Sequence, residues 1–185
     1  MNDQQIQDAV VVLRSGGLIA YPTEAVWGLG CDPLNPTALD RLLALKQRSP
    51  DKGFILVACD YEQLEPLLGE LPGNNRQEIL ASWPGPVTWV VPAGTVLPGQ
   101  ITGGRETVAV RVSAHPVVQA LCQAFAGPIV STSANRSGEV PAVSEDQVSS
   151  AFSDEIDLIV AGHIGTETSP TIIRDAMTGE VIRPA

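Results

Sequence analysis

An α/β domain built on one twisted sheet of mixed parallel and antiparallel strands, flanked by helices, is the fold this sequence predicts. Helical and strand-like segments alternate through its first half. The segment TIIRDAMTGEVIR (residues 171–183) reads as a β-hairpin turning near Thr178-Gly179, and with the closely spaced strands before it calls for antiparallel contacts. The chain has 185 residues, 44% of them apolar, with no internal repeat, low-complexity tract or long linker, so one domain over 1–185 is expected.

Asp3 is placed to cap a first helix over 4–15, in which Ile6, Val10 and Leu13 share a face and Gly16-Gly17 ends the run. A buried strand over 18–21 follows. Asn35-Pro36 has cap and first-turn chemistry for a second helix reaching Lys46, with Leu39, Leu42 and Leu43 on its buried side. Next come a strand over 54–58, a helix capped by Asp60, a Pro/Gly/Asn break over 71–75 and a short helix ending near Trp83. WPGPVT (83–88) is a rigid turn feeding a strand over 87–91. Strands over 107–112 and 128–131 bracket a helix over 115–125. Ser144 and Gln147 have capping-box spacing for another helix, and 158–161 is a strand.

The charge balance is 11 basic against 21 acidic residues, a net charge of -10, which excludes a surface coated with positive charge for holding nucleic acid. Cys31, Cys59 and Cys122 are odd in number and widely spaced in apolar surroundings, so they read as free thiols in a reducing compartment. There is no basic, apolar leader and no run of membrane-spanning length, so a cytoplasmic protein without a membrane contact is expected.

Against that acidic background, both lysines, Lys46 and Lys52, fall in one seven-residue stretch, KQRSPDK, with Arg48 between them. Lys46 alone would serve to offset a helix dipole. Three cations around a Ser-Pro turn suit a phosphate better, since Arg binds it bidentately and Lys adds a mobile point charge. STSAN (131–135) opens from a buried strand and offers Ser131, Ser133 and Asn135 to a ligand, or to its own backbone as an Ser/Thr or Asx turn. Ser133 lacks a nucleophile elbow and a His partner. YPTEAVWGLGCD (21–32) is a strand, a proline turn and a Gly28-x-Gly30 pair; the third glycine of a dinucleotide fingerprint is missing, and there is no Walker A sequence. Arg111 interrupts an apolar strand and must be paired or face a cleft. Ser169 and Arg183 flank the last hairpin. His115 and His163 lack further ligands at zinc spacing, and His115 reads as a helix start.

Taken together, YPTEAVWGLGCD, KQR with Lys52, WPGPVT, TVAVR with His115-Pro116, STSANRSG and SPTII with Arg183 run in order through nearly the whole chain. In this the sequence resembles the YrdC/TsaC family of threonylcarbamoyl-AMP synthases, in its short, single-domain bacterial form. The resemblance implies a YrdC-like domain with a concave cationic cleft. It also implies synthesis of L-threonylcarbamoyladenylate and diphosphate from L-threonine, bicarbonate or CO2, and ATP, for threonylcarbamoyladenosine in tRNAs reading codons that begin with A. A tRNA-modifying transferase complex would receive the adenylate, and a local tRNA contact is compatible. Carried over by position, Arg48, Lys52, Thr107, Ser133, Asn135, Pro141 and Arg183 are ATP contacts. Arg111, Ser131 and Ser169 are threonine contacts, and Lys46 and Arg48 supply charge to the reaction. The resemblance departs at Ala25, where many members have Thr, and at Val57, where longer members have His. Mg2+ is expected to arrive with the triphosphate, because no carboxylate cluster forms a metal cage. Two other readings of the same cleft are an RNA-binding or ribosome-maturation factor and an O-carbamoyl transfer domain. The latter is disfavoured by the lack of paired Cys-x-x-Cys motifs.

Overall fold

A computed structural model describes residues 2–167, 169 and 171–185, with Ser153 described by its backbone alone. Its first element, α1 (Asp3–Arg14), is capped by Asn2, whose side chain accepts from the Gln5 amide at 2.9 Å. The cap lies one residue earlier than expected, and Asp3 moves into the first turn, where a carboxylate still favours the helix dipole. α2 (Pro36–Lys46) starts as its sequence predicts, with the Asn35 side chain accepting from Ala38 N at 3.1 Å and Pro36 in the first turn. α3 is Arg76–Ala81, α4 is the one-turn Gly99–Thr102, α5 is Pro116–Phe125 capped by His115, and α6 is Glu145–Phe152. In front of α6 the Ser144 hydroxyl accepts from Gln147 N at 3.3 Å, while the Gln147 amide reaches back to Val143 N rather than to Ser144.

The strands are β1 (Ile19–Pro22), β2 (Trp27–Gly30), β3 (Ile55–Ala58), β4 (Val87–Pro92), β5 (Thr107–Val112), β6 (Ile129–Ser133), β7 (Leu158–Ile159), β8 (Ile172–Asp175) and β9 (Val181–Arg183). They form one sheet in the order β7-β1-β2-β6-β3-β5-β4-β8-β9. The β7/β1, β3/β5 and β4/β8 pairs are parallel and the rest antiparallel, so the mixed sheet and the final hairpin stand as expected.

The helix expected after Asp60 does not form. Asp60 accepts from Gln63 N at 2.9 Å, but the chain then makes only a 3₁₀ turn, Glu65–Leu67. Pro66 explains this, because beyond the first turn of an α-helix its ring meets the carbonyl four residues back and it has no N–H to give. The Gly28-x-Gly30 pair that follows the proline turn lies within strand β2. Tyr21 lies opposite Gly28 in the β1/β2 register, and its hydroxyl reaches past β2 to donate to Val130 O on β6 at 2.9 Å. A Cβ on Gly30 would sit 2.8 Å from the Tyr21 ring and 2.5 Å from Val130 O, so this glycine makes room for the ring to cross.

Strand alternation divides the sheet into two faces. Ala20, Trp27, Leu29, Leu56, Trp89, Val108, Val110 and Val130 point to one side and form the main core with Leu39 and Leu42 of α2, Ile79 of α3, and Val148 and Phe152 of α6. Ile19, Tyr21, Val57 and Ile129 point to the other side and pack under Ile6, Ala9 and Leu13 of α1 and Val117, Val118, Leu121 and Cys122 of α5. These two helices roof only part of that face. Ser131 and Ala109, both beside Ile55 in the register, are left outside the second core while Ile55 packs at its edge, and beside them the sheet is open as a cleft.

Gly30→Ala is expected to destabilise the fold by about 1 to 3 kcal/mol, the usual cost of forcing a methyl into a packed interior. Urea unfolding checks it, and wild-type stability would mean that Tyr21 is free to move aside.

Candidate active-site cleft

The end of α2 and the loop after β6 are joined by an exchange of hydrogen bonds. Lys46, only 3% exposed, donates from Nζ to the carbonyls of Ser133 and Asn135 at 2.5 and 2.7 Å. In return, the carbonyls of Leu45 and Lys46, which end the helix without intrahelical partners, accept from Arg136 Nη1 at 2.7 Å and Ser137 N at 2.9 Å. Within the loop, Ser133 Oγ donates to Asn135 Oδ1 at 2.5 Å, and the Asn135 amide donates to the carbonyls of Arg136 and Glu139. The loop satisfies much of its own backbone and is also pinned from beneath by a lysine. Burial, with a smaller push from nearby Arg48, lowers the Lys46 pKa from 10.5 to about 8.

Past α2, Gln47 takes a left-handed conformation at φ 50° and the chain turns through the 3₁₀ segment Pro50–Lys52. Arg48 folds back over this turn, giving Nε and Nη2 to Gly53 O at 3.2 and 3.0 Å and lying 5.5 Å from the centre of the Phe54 ring. Arg105 holds the far side through the carbonyls of Asp51 and Lys52.

Arg111 projects from β5 towards the cleft and is 6% exposed. Its Nη2 pairs with Glu24 Oε2 at 2.9 Å, while its Nε is buried with no hydrogen-bond partner. The ion pair and the cleft are therefore not alternatives, since one guanidinium serves both. An orphaned buried donor costs on the order of 1 to 3 kcal/mol, which a ligand oxygen at that position would recover.

These elements enclose a cavity of about 280 Å³ lined in part by Glu24, Ala25, Gly28, Arg48, Ile55, Arg111, Ser131, Ser133, Pro141, Thr171 and Arg183. Arg48, Arg111 and Arg183 are the cations among its described lining residues and Glu24 the one carboxylate, in a protein of net charge -10. Arg183 donates to Thr171 O at 2.8 Å; burial, followed by the charge of Arg111, lowers its pKa. Such a site suits a ligand carrying several negative charges.

Six of the residues singled out in the sequence thus line one cavity: Arg48, Arg111, Ser131, Ser133, Pro141 and Arg183. Lys46 lies behind its wall. Asn135 faces a neighbouring cavity of about 490 Å³ that shares Pro141. Thr107 begins β5 and shares the strand face of Ala109 and Arg111 by alternation, without lining the cavity. Lys52 and Ser169 are exposed and do not line it either, and Pro170, between Ser169 and Thr171, is outside the described residues. Of the two departures, Ala25 lies in the cavity wall, whereas Val57 is buried under α1 and α5. Sequence reasoning gave no role to Glu24 or Thr171. An acid in the apolar run YPTEAVW was the available signal for Glu24. Among the described residues, no group of three His, Cys, Asp or Glu side chains could hold a metal ion, and no helix is long and apolar enough to cross a membrane.

Fold and cleft define an α/β domain whose half-open sheet gathers guanidiniums and hydroxyls around one cavity. The sequence profile named Sua5_yciO_yrdC and described as "Telomere recombination" matches residues 11–185, so the chain belongs to the Sua5/YciO/YrdC family. A protein of Coxiella burnetii named threonylcarbamoyl-AMP synthase is 49% identical over 180 residues, covering 97% of each chain. The crystal structure of P. abyssi Sua5 complexed with L-threonine superimposes with a TM-score of 0.93 at 34% identity; it covers all of this chain, which spans 55% of that one. E. coli YciO superimposes with a TM-score of 0.85 at 28% identity, over 98% of this chain and 90% of its own.

Removing the Arg111 guanidinium would strand Glu24. Arg111→Ala is expected to cost about 3 to 5 kcal/mol of stability, read by chemical unfolding. A variant as stable as wild type would show that the ion pair is not buried in solution. For Lys46 the expectation concerns pH. Its pKa is lower folded than unfolded, so between about pH 8 and 10.5 the unfolded chain holds more protons and stability from this group rises; below about 8 it is flat. The stability difference between wild type and Lys46→Met should therefore be more favourable to wild type at about pH 9.5 than at about pH 7. An equal difference would place Lys46 in water, and a smaller one would mean that the fold raises its pKa rather than lowering it.

Proposed function

We propose that this chain is an L-threonylcarbamoyladenylate synthase, a nucleotidyltransferase that converts L-threonine, bicarbonate or CO2, and ATP into threonylcarbamoyl-AMP and diphosphate. The observation that carries the reading is the buried guanidinium of Arg111, with its unpartnered Nε, at one side of a cleft that also holds Arg48 and Arg183. The family resemblance assigns two binding regions to this cleft. Arg111 and Ser131 hold the amino-acid carboxylate, with Ser169 approaching from the loop before β8. Arg48, Ser133, Pro141 and Arg183 hold the nucleotide, with Lys52, Thr107 and Asn135, which lie outside the cavity lining, at its margins. The names of the Coxiella relative and of the threonine-bound Sua5 support this assignment.

The chemistry asks for charge and alignment. The neutral amine of threonine attacks CO2 and loses a proton, giving a carbamate. A carbamate oxygen then attacks the α-phosphorus of ATP, the bond to the β-phosphate oxygen breaks, and diphosphate leaves with the electron pair. Two anions must meet, so guanidiniums fixed beforehand lower the barrier without reorganising during the reaction. Arg48 is fixed by Gly53 O and Arg183 by Thr171 O, which leaves each with unused donors for phosphate. Lys46 contributes by holding the Ser133–Asn135 loop in place. No covalent intermediate on the protein is required. Mg2+ enters as part of the nucleotide substrate, because the one carboxylate in the cleft is engaged by Arg111 and Ser113. The adenylate then passes to a tRNA-modifying transferase complex, in the cytoplasm, for threonylcarbamoyladenosine in tRNAs reading codons that begin with A.

The purified protein is expected to release diphosphate from ATP only when L-threonine and bicarbonate are both present, with threonylcarbamoyl-AMP seen by mass spectrometry. Diphosphate release that ignores threonine would sink the assignment. Salt-sensitive binding of duplex RNA with no nucleotide turnover would favour an RNA-binding role instead.

A further inference from the structure

Glu24 is a carboxylate buried in the β1–β2 turn, and that turn is held from both sides. Thr23 N and Oγ1 both donate to Val26 O, at 3.1 and 2.6 Å, which closes the turn. From outside, Gly165 N donates to Thr23 O at 2.9 Å and Glu167 N to Glu24 O at 3.2 Å. Gly165 approaches so closely that a Cβ there would lie 2.7 Å from Glu24 O.

The side chain is fixed just as fully. Oε2 accepts from Arg111 Nη2 at 2.9 Å and Oε1 from Ser113 Oγ at 2.6 Å. Ser113 is wholly buried, and its hydroxyl also accepts from His115 N at 3.1 Å, at the start of α5. The carboxylate therefore bridges a residue on β5 and the junction between β5 and α5. With Nη2 committed to it, Arg111 is left with the orphaned Nε.

We propose that Glu24 is a positioning residue, whose carboxylate, strung between Arg111 and Ser113, sets the guanidinium so that its unpartnered Nε meets the carboxylate of the amino-acid substrate. This rests on the threonine reading above. It makes a prediction opposite in sign to the simpler view that Glu24 is only a counter-ion. A counter-ion weakens the attraction of Arg111 for an anionic ligand, so neutralising it should tighten threonine binding. A positioning carboxylate cannot be replaced by an amide, which has one acceptor oxygen where Glu24 uses two. Nor can it be shortened by a methylene and still span both partners.

The test is calorimetric titration of the full chain with L-threonine, and separately with ATP, for wild type, Glu24→Gln and Glu24→Asp. Each variant is expected to weaken threonine binding about tenfold or more, the loss of one charge-assisted hydrogen bond, with ATP affinity changed less than about threefold. Tighter or unchanged threonine binding in folded Glu24→Gln would overturn the proposal, as would equal losses for threonine and ATP. If thermal melts show that neither variant folds, Ser113→Ala decides. It leaves the ion pair but frees Oε1, so weaker threonine binding supports the proposal and wild-type affinity overturns it. A wild-type protein that binds ATP but no threonine overturns the functional reading and this role with it. Threonine bound by wild type and equally by Glu24→Gln removes the role of Glu24 alone.

Discussion

The ammonium of Lys46 between the carbonyls of Ser133 and Asn135 is the contact on which the cleft depends. It joins two walls that are far apart in sequence. A helix leaves its last carbonyls without partners, and a loop leaving a strand has the same deficit. Here each supplies what the other lacks, since Arg136 and Ser137 satisfy the end of α2 while Lys46 satisfies the loop. Arg48, two residues past Lys46, is thereby delivered to the same cavity as Ser133. Burying an ammonium is costly, and the lowered pKa of Lys46 is the measure of that cost. Two short hydrogen bonds offset it.

A second constraint is how charge is distributed. Ten negative charges in excess would repel an anionic substrate unless the field were reversed locally. The cleft does this with three guanidiniums and a single carboxylate among its described lining residues. Arginine suits the task because it stays charged when half buried, where lysine would lose its proton more readily. Each guanidinium also has a protein acceptor, namely Gly53 O for Arg48, Glu24 for Arg111 and Thr171 O for Arg183. They are thus oriented before any ligand arrives. Glu24 differs from the other two acceptors in being charged and buried, which ties the orientation of Arg111 to the stability of the β1–β2 turn.

Much of this was legible in the chain. Caps such as Asn35-Pro36 and His115-Pro116 placed helices, and the 171–183 hairpin announced antiparallel pairing, because these signals are local. The confinement of both lysines beside Arg48 marked the right region, since clustered charge in an acidic protein is visible without coordinates. The errors were local rules applied without their neighbours. Asp60 looked like a helix cap, but Pro66 left room for only a short turn. Gly28 and Gly30 read only as a pair short of a dinucleotide fingerprint, but they are strand residues, and Gly30 is kept small for the Tyr21 ring to cross.

The sequence by itself determined the kind of domain, its membership in a family and the residue types from which the cleft is made. Motif order and helix-capping chemistry are properties of the chain, so they needed no folding to be read. Only the tertiary structure decided which cations face the cavity. Lys46 and Arg48 are two residues apart, yet one is a buried clamp and the other a cleft wall, because the helix ends between them and Gln47 turns the chain through a left-handed conformation. Arg111 and Glu24 lie 87 positions apart, and only the stacking of β1, β2, β6, β3 and β5 in one sheet brings that carboxylate to that guanidinium. Pairing across such a separation depends on strand order and register, which no local pattern encodes.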